Sequence, residues 1–200
     1  MTPSRDLTDT SDSVRVIAGV AQAAAAGVLR NPSLYSVLVD LQVAGSTSKP
    51  VALRFGFHEV ARRLMEGDRL KACWVDVTLH PRSVAAGPVG TFGRRQLEQL
   101  AAIPGVDFPP PQLDLGALRL EPADVLRILA DRPMAGSAEP GRIDLSLFQS
   151  EGRLAWRALQ DVSAVGVRTL HVDAETGRVL LEKVDFDTNL GLPARPDGDG

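Results

Sequence analysis

The chain has 200 residues, with 22 basic and 25 acidic side chains, a formal net charge of -3 and a hydrophobic fraction of 44%. This length suits one large domain or two small ones, and the composition is that of an ordered globular protein. One cysteine, Cys73, excludes an intrachain disulfide and every multi-cysteine metal site. The mixed charge, three histidines and 4% of aromatic residues argue against nucleic-acid binding and metal sites. We predict no metal, no cofactor and no nucleic-acid partner.

The most apolar N-terminal stretch, residues 14–29, is shorter than the roughly 18 consecutive apolar residues that a membrane helix needs. A secretory signal has a basic segment before its apolar core, whereas Asp6, Asp9 and Asp12 precede this one. We therefore predict a cytoplasmic protein without membrane contact. The alternative is a signal peptide that was removed upstream of Met1.

The first half predicts one helix followed by antiparallel strands. Residues 1–13 are predicted to be a flexible N-terminus, and residues 14–30 an Ala-rich helix that ends before Asn31-Pro32. Its predicted inward face is Val16, Ile17, Val20, Ala24 and Val28. Three alternating runs follow, and their predicted inward side chains are Tyr35, Val37, Val39, Leu41 and Val43, then Val51, Leu53, Phe55 and Phe57, then Cys73, Val75, Val77 and Leu79.

Residues 81–93 predict a loop and residues 94–103 a short helix, after which Pro109-Pro110-Pro111 predicts a stiff connector over 104–117. The second half begins with a helix over 123–131. Four short strands follow, over 143–149, 153–162, 167–173 and 178–186, with tight turns at Glu151-Gly152 and Glu175-Thr176-Gly177. Residues 188–200 are predicted to be disordered.

The predicted fold class is α+β. Two similar-sized units, 14–103 and 118–187, are each predicted to pack a helix on an antiparallel sheet. Because both units share the order of one helix and then strands, a structural duplication is a hypothesis.

Three segments of the second half resemble the PepSY family. They are residues 120–126 (LEPADVL), 153–157 (RLAWR) and 171–180 (HVDAETGRVL). The family pattern is a short helix, a strand pair with a central aromatic residue, and a closing hairpin of the form V-D-A-x-T-G-x-V-L. The resemblance covers residues 118–186 and implies a binding or inhibitory module rather than a catalyst. It also implies that Trp156 is a core residue.

The candidate binding residues lie on the outward faces of the predicted strands. They are Arg54, His58, Trp74, Asp76 and His80. A tryptophan on an open sheet face often marks an interface; the alternative is that the helix over 14–29 covers it. His58, Asp76 and His80 form a polar cluster if their strands pair, and the alternative is that the histidines are solvated at the strand ends.

No catalytic residue is predicted. Cys73 falls on an inward face and is interpreted as a core residue rather than a nucleophile. Two sites nevertheless keep an enzyme as an alternative function. One is the His58/Asp76/His80 face, and the other is the Gly87–Arg95 loop, whose glycines precede a helix where a phosphate could bind.

The predicted function is a non-catalytic peptide- or protein-binding module. An extended peptide is expected to add to a sheet edge, and the protein would present it to a processing enzyme or restrain that enzyme. Because sheet edges also pair with identical copies, we expect a homodimer. The alternatives are a small enzyme and a structural subunit of a larger complex.

Overall fold

The computed structural model describes residues 13–44, 47–59, 70–79, 81–101, 110–133, 142–150, 152–163 and 166–186. The fold is α+β. The helices are α1 (Val14–Ala26), α2 (Arg94–Ala101) and α3 (Pro122–Ala130), and a short 3-10 helix covers Leu115–Ala117. The strands are β1 (Pro32–Ala44), β2 (Thr47–Glu59), β3 (Leu70–Thr78), β4 (Ser83–Ala86), β5 (Gly90–Phe92), β6 (Ile143–Ser150), β7 (Arg153–Ser163), β8 (Gly166–Asp173) and β9 (Val179–Phe186).

The nine strands of the described residues belong to one antiparallel sheet, in the order β4-β3-β2-β1-β6-β7-β8-β9, with β5 pairing β3 beside β4. The strands of the two predicted units are therefore joined rather than forming separate sheets. The junction is the pairing of β1 with β6, where Val37 lies opposite Leu147 and Val39 opposite Leu145. These four side chains are buried, so the hydrophobic core is continuous across the junction.

Helix α1 was predicted correctly, but its predicted inward face is wrong at Val16, Val20 and Val28, whereas Ile17 is buried as predicted and Ala24 packs against the core. Its N-terminus is capped by Ser13, whose hydroxyl accepts from the Val16 amide. The buried side chains are Val14, Ile17, Ala18, Ala21 and Ala25, whereas Val16, Val20 and Val28 are exposed. The helix packs mainly against β3 and β4, and its small alanines allow a close approach to the sheet.

Polar contacts at the N-terminus of α1 hold the rotation of the helix about its axis. The Arg15 guanidinium donates to the carbonyls of Leu115 and Gly116 at 2.8 and 2.9 Å. The Val14 amide donates to the Glu121 carboxylate at 2.9 Å. With these bonds in place, the valines at positions 16 and 20 lie away from the sheet. A helical hydrophobic pattern alone does not contain this information.

The prediction that Tyr35 faces inward is wrong, because β1 has a β-bulge at this residue. The register shifts between Leu34 and Ser36, so Leu34 lies opposite Phe57 in the core. The extra residue, Tyr35, turns to the opposite face of the sheet, where it contacts His58 and Trp74.

The inward side chains predicted for β2 and β3 are confirmed at the core positions. Leu53, Phe55 and Phe57 are buried, as are Cys73, Val75, Val77 and Leu79. The loop predicted over 81–93 is wrong in part, because β4 and β5 lie within it and pair with β3. Its glycine- and alanine-rich sequence has weak strand propensity, so the pairing with β3 decides the outcome.

The second half follows the prediction closely. Helix α3 and strands β6 to β9 lie where they were expected, and Gly152 and Gly177 have φ of +76° in the predicted turns. Trp156 is completely buried, as predicted, and its indole nitrogen donates to the Leu120 carbonyl at 2.9 Å. Arg168, only 2% exposed, donates to Glu182 and Gln160 from the inner side of the sheet.

The connector segment packs onto the sheet. The Leu113 amide donates to the Leu34 carbonyl at 2.8 Å, and the Leu113 side chain is buried. The predictions for residues 1–12, 104–109 and 188–200, and for His80, lie outside the described residues.

Candidate binding surface at the β3–β4 edge of the sheet

An aromatic cluster lies on the face of the sheet opposite to α1. It consists of Tyr35, His58 and Trp74, with ring centroids 5.5 Å apart for Tyr35–His58 and 5.7 Å for Tyr35–Trp74. Trp74 is 37% exposed, so α1 does not cover it, and that alternative prediction is wrong. Helix α1 instead covers the face that carries Cys73 and Val75.

Gly56 is the residue that makes this cluster possible. It lies opposite Trp74 in the register of β2 and β3. A Cβ atom at position 56 would lie 2.8 Å from Tyr35 Cζ and 2.9 Å from Trp74 Cζ3, closer than carbon atoms pack. The two rings therefore lie directly over the bare backbone of β2.

An exposed ion pair lies beside the aromatic cluster. Arg54 and Asp76 are opposite each other in the register, and the Arg54 Nε donates to the Asp76 carboxylate at 2.6 Å. Hydrogen bonding to Asp76 and its negative charge raise the pKa of Arg54. The structure thus brings together four of the five predicted binding residues, Arg54, His58, Trp74 and Asp76, on one face.

His58 is not solvated, which corrects the interpretation of it as a solvated strand-end histidine. It is 6% exposed, with Nδ1 3.2 Å from the Glu59 carbonyl oxygen and Nε2 3.2 Å from the Pro110 carbonyl oxygen. Burial follows from the connector packing at Pro110 and from the neighbouring Tyr35 ring. The His58 ring therefore contacts the connector at Pro110, and a hydrogen bond there uses the tautomer with its proton on Nε2.

The predicted cluster of His58 with Asp76 does not form. His58 lies opposite Ala72, and Asp76 lies four residues further along β3, roughly 13 Å away at strand rise. The Gly56–Trp74 pair separates them. Within the described residues, which exclude His80, no group of three His, Cys, Asp or Glu side chains is placed to hold a metal ion.

Two glycine amides of the Gly87–Arg95 segment donate to acceptors of the protein itself. The Gly87 amide donates to the Trp74 carbonyl at 2.8 Å, and the Gly93 amide to Gln96 Oε1 at 2.9 Å. Gly90 lies within β5. Cys73 is 2% exposed, and burial raises the pKa of its thiol, which disfavours the reactive thiolate.

Strand β4 forms one end of the sheet and directs backbone groups outward. Because Gly87 donates to β3, and alternate residues of a strand direct their amides to opposite sides, Val84 and Ala86 direct theirs away from β3. The strand reads Ser-Val-Ala-Ala and has no charge. Ala85 and Gly87 have small or no side chains, so the Trp74 ring is open toward this edge.

The other end of the sheet, β9, has a different character. Its sequence includes Glu182, Lys183 and Asp185. Lys183 and Asp185 pair at 2.7 Å, and Glu182 binds Arg132 and Arg168. Hydrogen bonding to Arg168 is the main cause that lowers the pKa of Glu182. Charged residues of this kind discourage the addition of another strand.

Sequence reasoning missed two parts of this surface. Tyr35 was assigned inward because its bulge has no sequence signature, and β4 was assigned to a loop because its residues are small. Gly56, between Phe55 and Phe57, was the available signal, since a glycine inside a strand marks close approach of other atoms.

Comparison with known proteins adds information on the fold. No family model matches the chain, and no curated protein matches it. The crystal structure of a "putative lipoprotein" from Clostridium difficile 630 is similar, with 11% sequence identity and a TM-score of 0.51. The match covers 86% of this chain and 93% of that one, so the two share the overall α+β arrangement. No helix in the described part of the chain is long and apolar enough to cross a bilayer.

Proposed function

We propose that the protein is a non-catalytic module that binds an extended peptide or protein segment at the β4 edge of its sheet. The protein would present the bound segment to a processing enzyme or would restrain that enzyme. The observation that carries this proposal is the uncharged edge of β4, with the outward amides of Val84 and Ala86 next to the open ring of Trp74. Edge hydrogen bonds supply affinity in this mode, and neighbouring side chains supply specificity.

The geometry of the alternative sites supports binding rather than catalysis. Each ring nitrogen of His58 lies 3.2 Å from a backbone carbonyl oxygen, to one of which the neutral ring donates, and His58 lies far from Asp76. The Gly87 and Gly93 amides already have acceptors. Buried Cys73 lacks the exposed, electropositive setting of a reactive thiol.

We further propose that the chain arose by duplication of a PepSY-like unit. The order of one helix and four antiparallel strands occurs twice, as α1 with β1 to β4 and as α3 with β6 to β9. The strand order β4-β3-β2-β1-β6-β7-β8-β9 has the arrangement expected of two such units related by a two-fold axis between β1 and β6. Superposition of the two halves tests the duplication. The cytoplasmic location stays a prediction.

A selection for binding followed by edge-blocking variants tests the function. Short random peptides displayed on phage are selected against the full chain, and recovered peptides are measured by calorimetry. Ala86→Pro removes an outward amide without removing a bond to β3, and proline is tolerated on edge strands. We expect at least about tenfold weaker binding, or ~1.4 kcal/mol.

Val184→Pro is the matched control, because the alternation along β9 directs the Val184 amide away from β8 at the opposite edge. We expect this variant to bind like the wild type. A reversed pattern, with Val184→Pro losing binding and Ala86→Pro keeping it, overturns the β4 assignment. If the selection yields no peptide whose binding is saturable, the binding function is overturned and a structural subunit is favoured.

A further inference from the structure

The exposed side of α1 is apolar next to the β4 edge. Val16 and Val20, which we call the valine flank, are 50% and 44% exposed. Val84 on β4 is 38% exposed, and it shares the α1 side of the sheet because it lies opposite buried Val77. Residues 16–29 contain no charged side chain.

The direction of the valine flank follows from the polar contacts of α1. Arg15 donates to the 3-10 helix Leu115–Ala117, and Gln22 donates to the Pro32 carbonyl at the start of β1. Both contacts lie on the side of α1 that faces the middle of the sheet. At 3.6 residues per turn, Val20 lies about 140° from Arg15 and about 160° from Gln22, and therefore on the side toward β4.

We infer that a second copy of this chain binds here, through antiparallel pairing of the two β4 strands about a two-fold axis at Ala85. In this register Val84 lies opposite Ala86 of the other copy, and Ala85 lies opposite itself. The outward amides and carbonyls of Val84 and Ala86 are then the groups that pair across the interface. The smallest L side chain lies at the axis, and the uncharged strand carries no repulsion against its own copy.

The same axis places the two α1 helices side by side on one face of the joined sheet. Helix α1 packs mainly against β3 and β4 and also contacts β1 and β2, so its axis lies at least about one strand spacing, ~4.8 Å, from the two-fold axis. The two helices are then separated by at least about 10 Å, the upper end of the usual distance between packed helices. The valine flanks, exposed in one copy, would face each other across the axis.

The dimer occupies the edge that we propose for peptides, so the two partners compete. The competition rests on the proposed function, whereas the dimer itself does not. A copy whose β4 edge is paired with another copy has no free outward amides for a peptide. Peptide binding therefore releases monomers.

Sedimentation of the full chain over a wide range of concentrations tests the interface. We expect the wild type to reach twice the 21.3 kDa chain mass, and Ala86→Pro and Val20→Glu to remain monomeric. Ala26→Glu, at an exposed position on the Arg15 side of α1, and Val184→Pro on β9 are the controls that keep the dimer. A monomeric wild type, or a dimer that persists in both Ala86→Pro and Val20→Glu, overturns the inference.

Cross-linking tests the register. Antiparallel residues of a non-hydrogen-bonded pair have Cα atoms about 4.5 Å apart, within the range of a disulfide. We expect Ala85→Cys to form a disulfide-linked dimer on oxidation. Val84→Cys should form none, because Val84 lies opposite Ala86 of the other copy rather than opposite itself. The native Cys73 is buried and does not compete. The reverse result overturns the register.

Val20→Glu also separates this inference from the proposed function. The variant keeps the β4 backbone, so we expect a monomer that binds selected peptides at least as tightly as the wild type. If the protein dimerises but binds no peptide, the proposed function is overturned and the dimer interface is kept. If the protein binds peptides but is monomeric at all concentrations, the dimer interface is overturned and the proposed function is kept.

Discussion

Gly56 shows how a single missing side chain organises the candidate surface. Tyr35 and Trp74 come from strands on either side of β2 and meet over this glycine. An edge-to-face aromatic pair contributes roughly 0.5–1.5 kcal/mol beyond its buried area. The glycine therefore positions Trp74 beside the β4 edge, although it touches no ligand itself.

Gly56→Ala is expected to destabilise the protein by about 1–2 kcal/mol, because the new methyl group forces both rings to shift. Denaturant unfolding followed by circular dichroism measures this change. Gly19→Ala is the control, because no atom outside α1 lies within 4 Å of its added Cβ, and it should stabilise the helix by about 0.5–1 kcal/mol. Equal stability of Gly56→Ala and the wild type would contradict the packing.

Asp173 gives a prediction of pH dependence. Its carboxylate accepts from the amides of Thr176 and Glu175 at 2.8 and 3.0 Å, and the Thr176 bond is the main cause that lowers its pKa. A carboxyl group with a lowered pKa in the folded state stabilises the protein above its ordinary pKa and loses this contribution as pH falls through the folded value.

Asp173→Asn is therefore expected to be less stable than the wild type at neutral pH. The difference should begin to narrow as the pH falls below about 4, where the carboxyl group of the unfolded chain is protonated, and should disappear only below the lowered pKa of the folded state. Urea unfolding from pH 7 to pH 2 measures both curves. A constant difference over this range would show that the charge of Asp173 does not contribute.

At the scale of the element, α1 shows why an apolar pattern does not settle which face is buried. Valines and alanines alternate around this helix, and either side is apolar enough to pack. Close approach to β3 and β4 selects the alanine side, and the bonds from Arg15 and to Glu121 hold that rotation.

Two alanines of α1 test this rotation. Ala21 is completely buried, so Ala21→Leu is expected to cost about 1–3 kcal/mol through overpacking. Ala23 is exposed, so Ala23→Leu should change stability by no more than about 0.5 kcal/mol. Thermal unfolding compares the two, and the opposite order of stability would mean that the helix is rotated.

At the scale of the whole molecule, the pairing of β1 with β6 makes one sheet from two similar sets of elements. The buried side chains at this junction belong to the same core as those under α1 and α3. Separating the two halves would expose apolar side chains and two new strand edges. The halves should therefore unfold together.

Single-tryptophan variants measure this cooperativity. Trp156→Phe leaves Trp74 to report on the first half, and Trp74→Phe leaves Trp156 to report on the second. In each variant we expect fluorescence and far-ultraviolet circular dichroism to give coincident denaturation curves. Leu147→Ala at the junction should lower the free energy of unfolding obtained from both curves by about 2–5 kcal/mol. Separate transitions for the two reporters would contradict one cooperative unit.

The sequence predicted most elements because their patterns are local. Period-two alternation located β2, β3 and the four strands of the second half, and glycine with polar neighbours located the turns. It also placed Arg54, Trp74 and Asp76 outward. The Tyr35 bulge and the pairing of β4 depend on neighbouring strands, so no local pattern contained them.

By itself, then, the sequence determined an α+β protein with one helix before each set of strands, a buried cysteine and an uncharged segment over residues 83–93. Only the tertiary structure decided that all strands share one sheet and that the alanine side of α1 is buried. It also decided that Tyr35 joins Trp74 over Gly56, next to an open edge. The reason is that the alternation of polar and apolar side chains is a local property of neighbouring residues, whereas strand order, bulges and helix rotation follow from contacts between distant segments.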